Sequence, residues 1–461
     1  MKTINKLSWS LLAVLFLVVG FTSCDDEESY SGAISISKVY LEDATSEVVD
    51  REVEFARLGQ IIRLEGSGFS DLRKVYINGY DTYFNPVMTT DGSMVLRVSY
   101  DTPLVEATDD VRNTIRLVND GNSLNYEFTI RAALPNISSI SHTMPAVGEL
   151  ITVYGSGLTD IESVTFPGDI VVTEGITSDE DGAFFTIAMP EGVAAEGGSI
   201  FASGSNGGAY SAAYFNCKSN VILDFDGTGS QGYWGWSETG SMLDKTDLGT
   251  AALGEGNLSQ GNYVNHHPER KGTFPAAKNR NTEVWTAGNG VDDWRGQLTE
   301  AIPASTLVSQ VAFQFDMYVD GIWTNTGFLK IALINNFNGG EWTSTCYNYV
   351  PWIEGGKVVE YENAGWVTVT VPFSQFYSYA KDAGTDEEAT FEKVLAAREN
   401  ASYKNFGMYF ENSDFTLDKV TGSTADAETE MTSAETDVKV YTDNWRVVSL
   451  AKPTYSDFPT E

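Results

Sequence analysis

Gly59-Gln60-Ile61-Ile62-Arg63-Leu64-Glu65-Gly66-Ser67-Gly68-Phe69 and Gly148-Glu149-Leu150-Ile151-Thr152-Val153-Tyr154-Gly155-Ser156-Gly157-Leu158 align glycine on glycine at an offset of 89 residues. The same offset pairs Asp71 with Asp160, Leu72 with Ile161, Val75 with Val164, Ile77 with Phe166 and Gly79 with Gly168. A repeat of this period has the length of one small β-sandwich, which buries its apolar residues between two sheets of its own. Each copy reads as a strand (Ile61 to Leu64; Ile151 to Tyr154), a Gly-Ser-Gly turn and a second strand. The glycines are expected to supply positive φ at that turn.

Composition agrees with a β-rich chain. The 461 residues include 43 Gly and few long helix-forming runs, while 42% hydrophobic and 12% aromatic content is enough to build cores. At about 150 residues per domain the length predicts roughly three domains. Sixty-four acidic against 29 basic residues give a net charge of −35, which repels phosphate backbones and disfavours nucleic acid as a partner. Three His and three Cys leave little material for metal centres or nucleophilic triads, and no cofactor or metal is expected.

The N-terminus reads as an address. Met1 to Lys6 is basic and Trp9 to Val19 is apolar. That run is shorter than the about 20 residues a bilayer-spanning helix needs, but it suits the core of a signal peptide over 1–23. Gly20-Phe21-Thr22-Ser23-Cys24 resembles a bacterial lipobox, with Phe21 where Leu is usual. That resemblance implies lipidation of Cys24, and Asp25-Asp26-Glu27-Glu28 behind it resembles the export signal of Bacteroidetes surface lipoproteins. Residues 24–33 are then an acidic linker, and the mature protein is anchored by lipid at the outer membrane, facing the cell surface. Cys217 and Cys346 remain, either paired or as buried free thiols.

The motif G-x6-G-S-G-[FL], followed by a strand that ends in Gly, resembles the IPT/TIG immunoglobulin-like family. Pro135-Asn136-Ile137-Ser138-Ser139-Ile140 resembles that family's opening strand. The resemblance implies two Ig-like β-sandwich domains, 34–131 and 132–217, which carry no Trp and are expected to act as spacers.

All nine tryptophans after the signal segment lie beyond residue 217: Trp234, Trp236, Trp285, Trp294, Trp323, Trp342, Trp352, Trp366 and Trp445. Residues 218–461 are thus a third, larger domain. Val311 to Val319 alternates, with Val311, Phe313, Phe315, Met317 and Val319 on one face and Gln314, Asp316 and Tyr318 on the other. Further strands are expected at Phe328–Ile334, Trp366–Val371, Phe406–Phe410 and Val438–Val448. A helix is expected at Glu387–Arg398 with Phe391, Val394 and Leu395 inward, and a mobile acidic loop at Thr421–Asp437. Asp224-Phe225-Asp226, Gly365-Trp366 with the strand after it, and Tyr441-Thr442-Asp443-Asn444-Trp445 resemble strands of jelly-roll carbohydrate-binding modules. The chain as a whole resembles the surface glycan-binding lipoproteins of Bacteroidetes polysaccharide-utilisation systems. That resemblance implies an all-β fold of two Ig-like sandwiches followed by a jelly-roll glycan-binding sandwich. It also implies two partners in the membrane, an outer-membrane transporter complex and a companion glycan-binding lipoprotein.

An exposed indole offers a flat partner to the C–H face of a pyranose, and neighbouring polar groups fix the hydroxyls. Trp323, Trp342 and Trp352 sit in turn-rich sequence and are expected at the surface as glycan platforms. Trp234, Trp236, Trp285 and Trp294 are further candidates, and Gln314 and Asp316, facing away from the core, are the polar ones. Trp366 and Trp445 belong to apolar strand patterns and are expected in the core. The ligand is expected to be a neutral polysaccharide or oligosaccharide. His266, His267, Arg270, Lys271, Lys278, Arg280 and Arg295 form a local basic segment, read either as a face offset by Glu269, Glu283, Asp292 and Asp293 or as an anchor for an acidic sugar. A carboxylate-pair glycoside hydrolase and a protein-binding adhesin are the alternatives to a non-catalytic glycan binder. No G-x-S-x-G motif occurs, and adjacent His266 and His267 do not converge on one metal ion. Asp224, Asp226 and Asp443 read as turn acids before calcium ligands.

Overall fold

A computed structural model describes residues 33–42, 48–229, 241–243, 245–253, 261–286, 298, 300–333, 346–376, 388–401, 404–416 and 430–458. These fall into two compact units: the chain up to Leu134 together with Phe458, and Pro135–Asp457.

The first unit is a sandwich of two four-stranded sheets. One runs Arg51–Glu52, Ser35–Leu41, Ile61–Ser67, Ser93–Arg97; the other runs Tyr80–Asp81, Lys74–Ile77, Thr114–Val118, Ser123–Glu127. A parallel pair, Phe55–Arg57 with Thr129–Arg131, closes one side. Period-2 alternation places Ile62, Leu64, Val75, Ile77, Met94, Leu96, Ile115 and Leu117 in one apolar core. Phe458 stacks on Phe55 at 5.3 Å.

The second unit opens with the repeat of this sandwich. Asn136–Ile140, Leu150–Ser156, Phe184–Ala188 and Thr177–Ser178 form one sheet, and Ile170–Val172, Ile161–Phe166, Phe201–Gly204 and Gly207–Tyr210 the other. The two glycines of each Gly-Ser-Gly do different work. Gly68 and Gly157 have φ of +77° and +66°, as expected for the turn. Gly66 and Gly155 instead allow close approach: a Cβ there would lie 1.8 Å from the carbonyl oxygens of Ser35 and Asn136, where the opening strand shifts register.

The C-terminal sandwich faces two larger sheets. The first orders Leu248–Gly249, Tyr263–Asn265, Lys439–Ser449, Val311–Asp320 and Val367–Pro372, with Val221–Leu223 also paired to Lys439–Ser449. The second orders Lys278–Trp285, Gly407–Asn412, Phe328–Ala332 and Cys346–Tyr349. Between them lie Phe313, Phe315, Met317, Leu329, Ile331, Phe406, Met408, Phe410, Trp445 and Val447. The helix forms at Phe391–Asn400 and buries Phe391, Val394 and Leu395 as expected. The expected loop at Thr421–Asp437 lies outside the described residues up to 429. Its remainder is built structure: Glu430–Met431 pairs with Phe415–Thr416, and Thr436 bridges to Phe274. Cys217 and Cys346 are buried free thiols, and burial pushes the Cys217 thiol up to about 11. No helix among the described residues is long and apolar enough to cross a membrane.

Ala312 and Val448 of the large sandwich belong to the same apolar cluster as Ile137, Val164 and Phe215 of the second Ig-like module. Within this unit the two sandwiches share a core boundary.

Candidate functional site

The alternation in Val311–Asp320 is observed, with Phe313, Phe315 and Met317 in the large core and Gln314 and Asp316 on the opposite face. That opposite face meets the second Ig-like module instead of water, so both polar candidates are fully enclosed. Arg446, itself buried, donates from Nη2 to Asp316 Oδ1 and to Thr143 Oγ1, each at 2.8 Å, and from Nε to Gln314 Oε1 at 3.2 Å. Thr368 donates from Oγ1 to Asp316 Oδ1 at 2.9 Å, and Asn444 donates from Nδ2 to Asp316 Oδ2 at 3.0 Å. His142 completes the group, with Nε2 at 3.3 Å from Asp316 Oδ2 and Nδ1 at 2.6 Å from Glu149 Oε1.

The electrostatics follow from this enclosure. Burial alone would push the His142 imidazole down, but the Asp316 and Glu149 carboxylates outweigh it and raise it to about 9. Burial would likewise raise Asp316, yet Arg446 and His142 hold it well below the usual carboxylate range. Burial and the nearby charge of Asp316 push Asp443 well above that range. Asp316 is therefore a saturated structural anion with no edge left for a sugar hydroxyl.

The indoles expected at the surface are also corrected. Trp323 is 1% exposed and Trp352 0%. Both donate Nε1–H to the Gly327 carbonyl, at 3.2 and 2.8 Å, and Trp323 donates to Thr326 O at 2.9 Å as well. Gly327 has φ of +73°, and a Cβ there would lie 2.5 Å from the Phe410 ring on which Trp323 stacks. The turns around these residues do not expose them, because an indole is long enough to fold back beneath its own loop and satisfy its N–H on a loop carbonyl. Trp285 is buried too, donating to Glu283 Oε2 at 2.8 Å and packing over Gly407. Trp366 and Trp445 are buried as expected. Trp234, Trp236, Trp294 and Trp342 lie outside the described residues, as does Cys24.

The basic segment is largely consumed by the fold. His266 is buried, with Nε2 at 2.8 Å from Thr442 Oγ1, and burial lowers it to about 3. His267 stacks on Phe274, with both ring nitrogens 2.8 Å from the carbonyls of Val438 and Gly272. Arg270 grips buried Asp247 in bidentate fashion, and Arg280 lies 3.5 Å from Glu283. Arg295 lies outside the described residues. Asp224 Oδ1 accepts from the backbone N–H groups of Asp226, Gly227 and Thr228, and Asp226 accepts from Asn262, so both serve as turn acids. Among the described residues no group of three or more His, Cys, Asp or Glu is placed to hold a metal ion.

The architecture is that of a multi-domain all-β binding protein: two Ig-like sandwiches and a larger, aromatic-rich one. The family model described as surface glycan-binding protein B xyloglucan-binding domain matches residues 215–449, and the chain belongs to this family. It is a family of glycan binders and not of hydrolases. A Bacteroides ovatus protein described as IPT/TIG domain-containing is 24% identical over 328 residues, covering 70% of this chain and 54% of the relative. The chain thus spans about half the length of that curated relative. Among solved structures, the surface glycan-binding protein PbSGBP-B of Prevotella bryantii is 18% identical, covering 91% of this chain and all of its own, with a TM-score of 0.56. SGBP-B from a complex xyloglucan utilization locus in Bacteroides uniformis is also 18% identical with the same coverage and a TM-score of 0.44. At these identities the likeness to PbSGBP-B is one of fold.

Proposed function

We propose that this chain is a non-catalytic, cell-surface polysaccharide-binding lipoprotein that captures a neutral glycan with its C-terminal sandwich. The observation that carries the reading is the family match over 215–449, which coincides with the sandwich that holds every tryptophan of the mature chain. The family's description makes a xyloglucan-type β-glucan the first ligand to test. With Trp323, Trp352 and Trp285 committed to the core, the stacking platforms are assigned to Trp234, Trp236, Trp294 and Trp342. Lipidation at Cys24 tethers the protein to the outer membrane, where it hands glycan to a transporter complex alongside a companion glycan-binding lipoprotein.

The test is retardation of the protein in a native gel containing xyloglucan, with reducing-end analysis after long incubation. Retardation without released product is expected. Release of oligosaccharides would establish a hydrolase, and no retardation across plant, host and microbial polysaccharides would remove glycan binding altogether. Cys24→Ala should move the protein from the membrane to the soluble fraction.

A further inference from the structure

The first Ig-like module, expected from its sequence to be a spacer, contains a cavity of about 550 Å³ between the edge strands of its two sheets, Ser93–Arg97 and Tyr80–Asp81. Tyr80, Tyr83, Phe84 and Tyr100 line it. Tyr83 is 80% and Tyr100 68% exposed, an uncommon display for two neighbouring rings that carry no part of the core.

The seat of Tyr100 is built. Its ring lies over Gly59, where a Cβ would sit 2.4 Å from the ring atoms, so the bare glycine lets the phenol lie flat against the backbone. Arg97 donates from Nη1 to the Gly59 carbonyl at 2.8 Å and closes the same corner. Tyr80 Oη reaches Asp101 Oδ2 at 3.4 Å, and Asp81 pairs with Lys74.

The repeat supplies an internal control. Gly148 occupies the place of Gly59, with the same hydrogen bond to the facing strand (Gly148 N–H to Met189 O, Gly59 N–H to Val98 O), yet nothing lies within 4 Å of its Cβ position. Following the strand registers, the second module has Glu191 where the first has Tyr100, and Ile170 and Val171 where the first has Tyr80 and Asp81. The same fold stands without these rings, so folding does not require them.

We propose that this groove is a second saccharide-binding site, with Tyr83 and Tyr100 as stacking platforms and Asn85, Asp101 and Arg97 as hydroxyl partners. Two acids and two bases in and beside it (Asp81, Asp101, Lys74, Arg97) balance, within a chain of net charge −35. Balanced charge, flat amphipathic rings and short polar side chains fit a neutral pyranose chain better than a charged ligand. The proposal goes beyond the C-terminal reading and does not need it to be correct.

The experiment titrates the full chain calorimetrically with a xylogluco-oligosaccharide and with xyloglucan polymer, comparing wild type with the Tyr83→Ala/Tyr100→Ala double variant. The variant should lose one oligosaccharide site per chain, keep its thermal melt, and bind the polymer roughly tenfold more weakly, since two stacking contacts are gone. The Tyr83→Phe/Tyr100→Phe variant, which keeps the rings, should retain the site. If the C-terminal reading fails, wild type takes one oligosaccharide and the Ala variant none, which still supports the groove. Equal stoichiometry in wild type and the Ala variant overturns it. Unchanged saccharide binding with lost cross-linking to another protein would assign the groove to a protein partner and also overturn the proposal.

Discussion

Trp323 and Trp352 share one acceptor, the Gly327 carbonyl, and this makes their loop a piece of the core. Replacing either indole with Ala removes a fully buried aromatic, which costs about 3–5 kcal/mol. We expect Trp352→Ala to lower the urea midpoint while the remaining folded fraction keeps its glycan affinity; a normal midpoint with lost affinity would return this indole to the binding site. At this scale the sequence was half legible. Trp366 and Trp445 sit in alternating apolar strands, and the pattern alone places them inside. Trp323 and Trp352 follow Gly321 and Pro351, where local composition reports the backbone's turn but not the direction of a long side chain.

At the scale of the element, the strand Val311–Asp320 shows what periodicity does and does not reveal. Alternation places both faces correctly, yet Gln314 and Asp316, which it turns away from the core as polar glycan candidates, face the second Ig-like module. Their partners Thr143 and His142 are more than 170 residues away, and no local pattern announces them. Arg446 was equally silent: it lies in an apolar strand and looks like a surface cation, but its guanidinium bridges the two sandwiches. Asp316→Asn would leave Arg446 buried beside a neutral amide, and breaking a buried pair in this way costs about 3–5 kcal/mol. Chemical denaturation of the variant checks this, and a midpoint equal to wild type would refute it.

The same element sets a pH dependence. His142 rises in the folded state to about 9 from 6.5, so its contribution is complete below pH 6.5 and is lost as pH climbs toward 9. Asp443 is also raised on folding, from 3.8, and its contribution falls in the same direction. His266 is lowered to about 3, so its contribution is present above pH 6.5 and is lost on acidification, as is that of depressed Asp316 at lower pH. The expected profile is a decline from pH 6.5 toward pH 9 as His142 loses its proton, while on the acid side of pH 6.5 the falling contribution of His266 and the rising one of Asp443 oppose each other. His142→Gln should flatten that decline; an unchanged slope would show that His142 is not charged in the fold.

At the scale of the whole molecule, the internal repeat was fully legible, because an 89-residue offset with matching glycines needs no three-dimensional information. The spacing could not reveal that the second Ig-like module and the large sandwich share a buried polar network and an apolar cluster. Residues 135–457 should therefore melt in one cooperative transition, whereas 218–461 alone exposes Ala312 and Val448 and takes Thr143 from Arg446 and His142 from Asp316. Calorimetry on the two fragments distinguishes this from independent folding. The net charge is −35, and Asp247 and Glu283 engage Arg270 and Arg280, two arginines of the basic segment that an acidic sugar would need. Glycan affinity should be nearly flat between low and moderate salt, since exposed charge pairs are screened over roughly 8–10 Å near physiological ionic strength. A steep fall would indicate an acidic ligand.

The His142–Asp316–Arg446–Thr143 network also bears on how such a gene can be recombined. Its members come from both sides of residue 217, two upstream and two downstream. A crossover at that point would graft the large sandwich onto a foreign neighbour with the Arg446–Asp316 pair intact but without the Thr143 hydroxyl and the His142 imidazole that complete it. A crossover before Pro135 would move all four residues together. The smallest portable cassette is thus the fused pair, and its ligand-binding part travels between scaffolds only with its Ig-like escort.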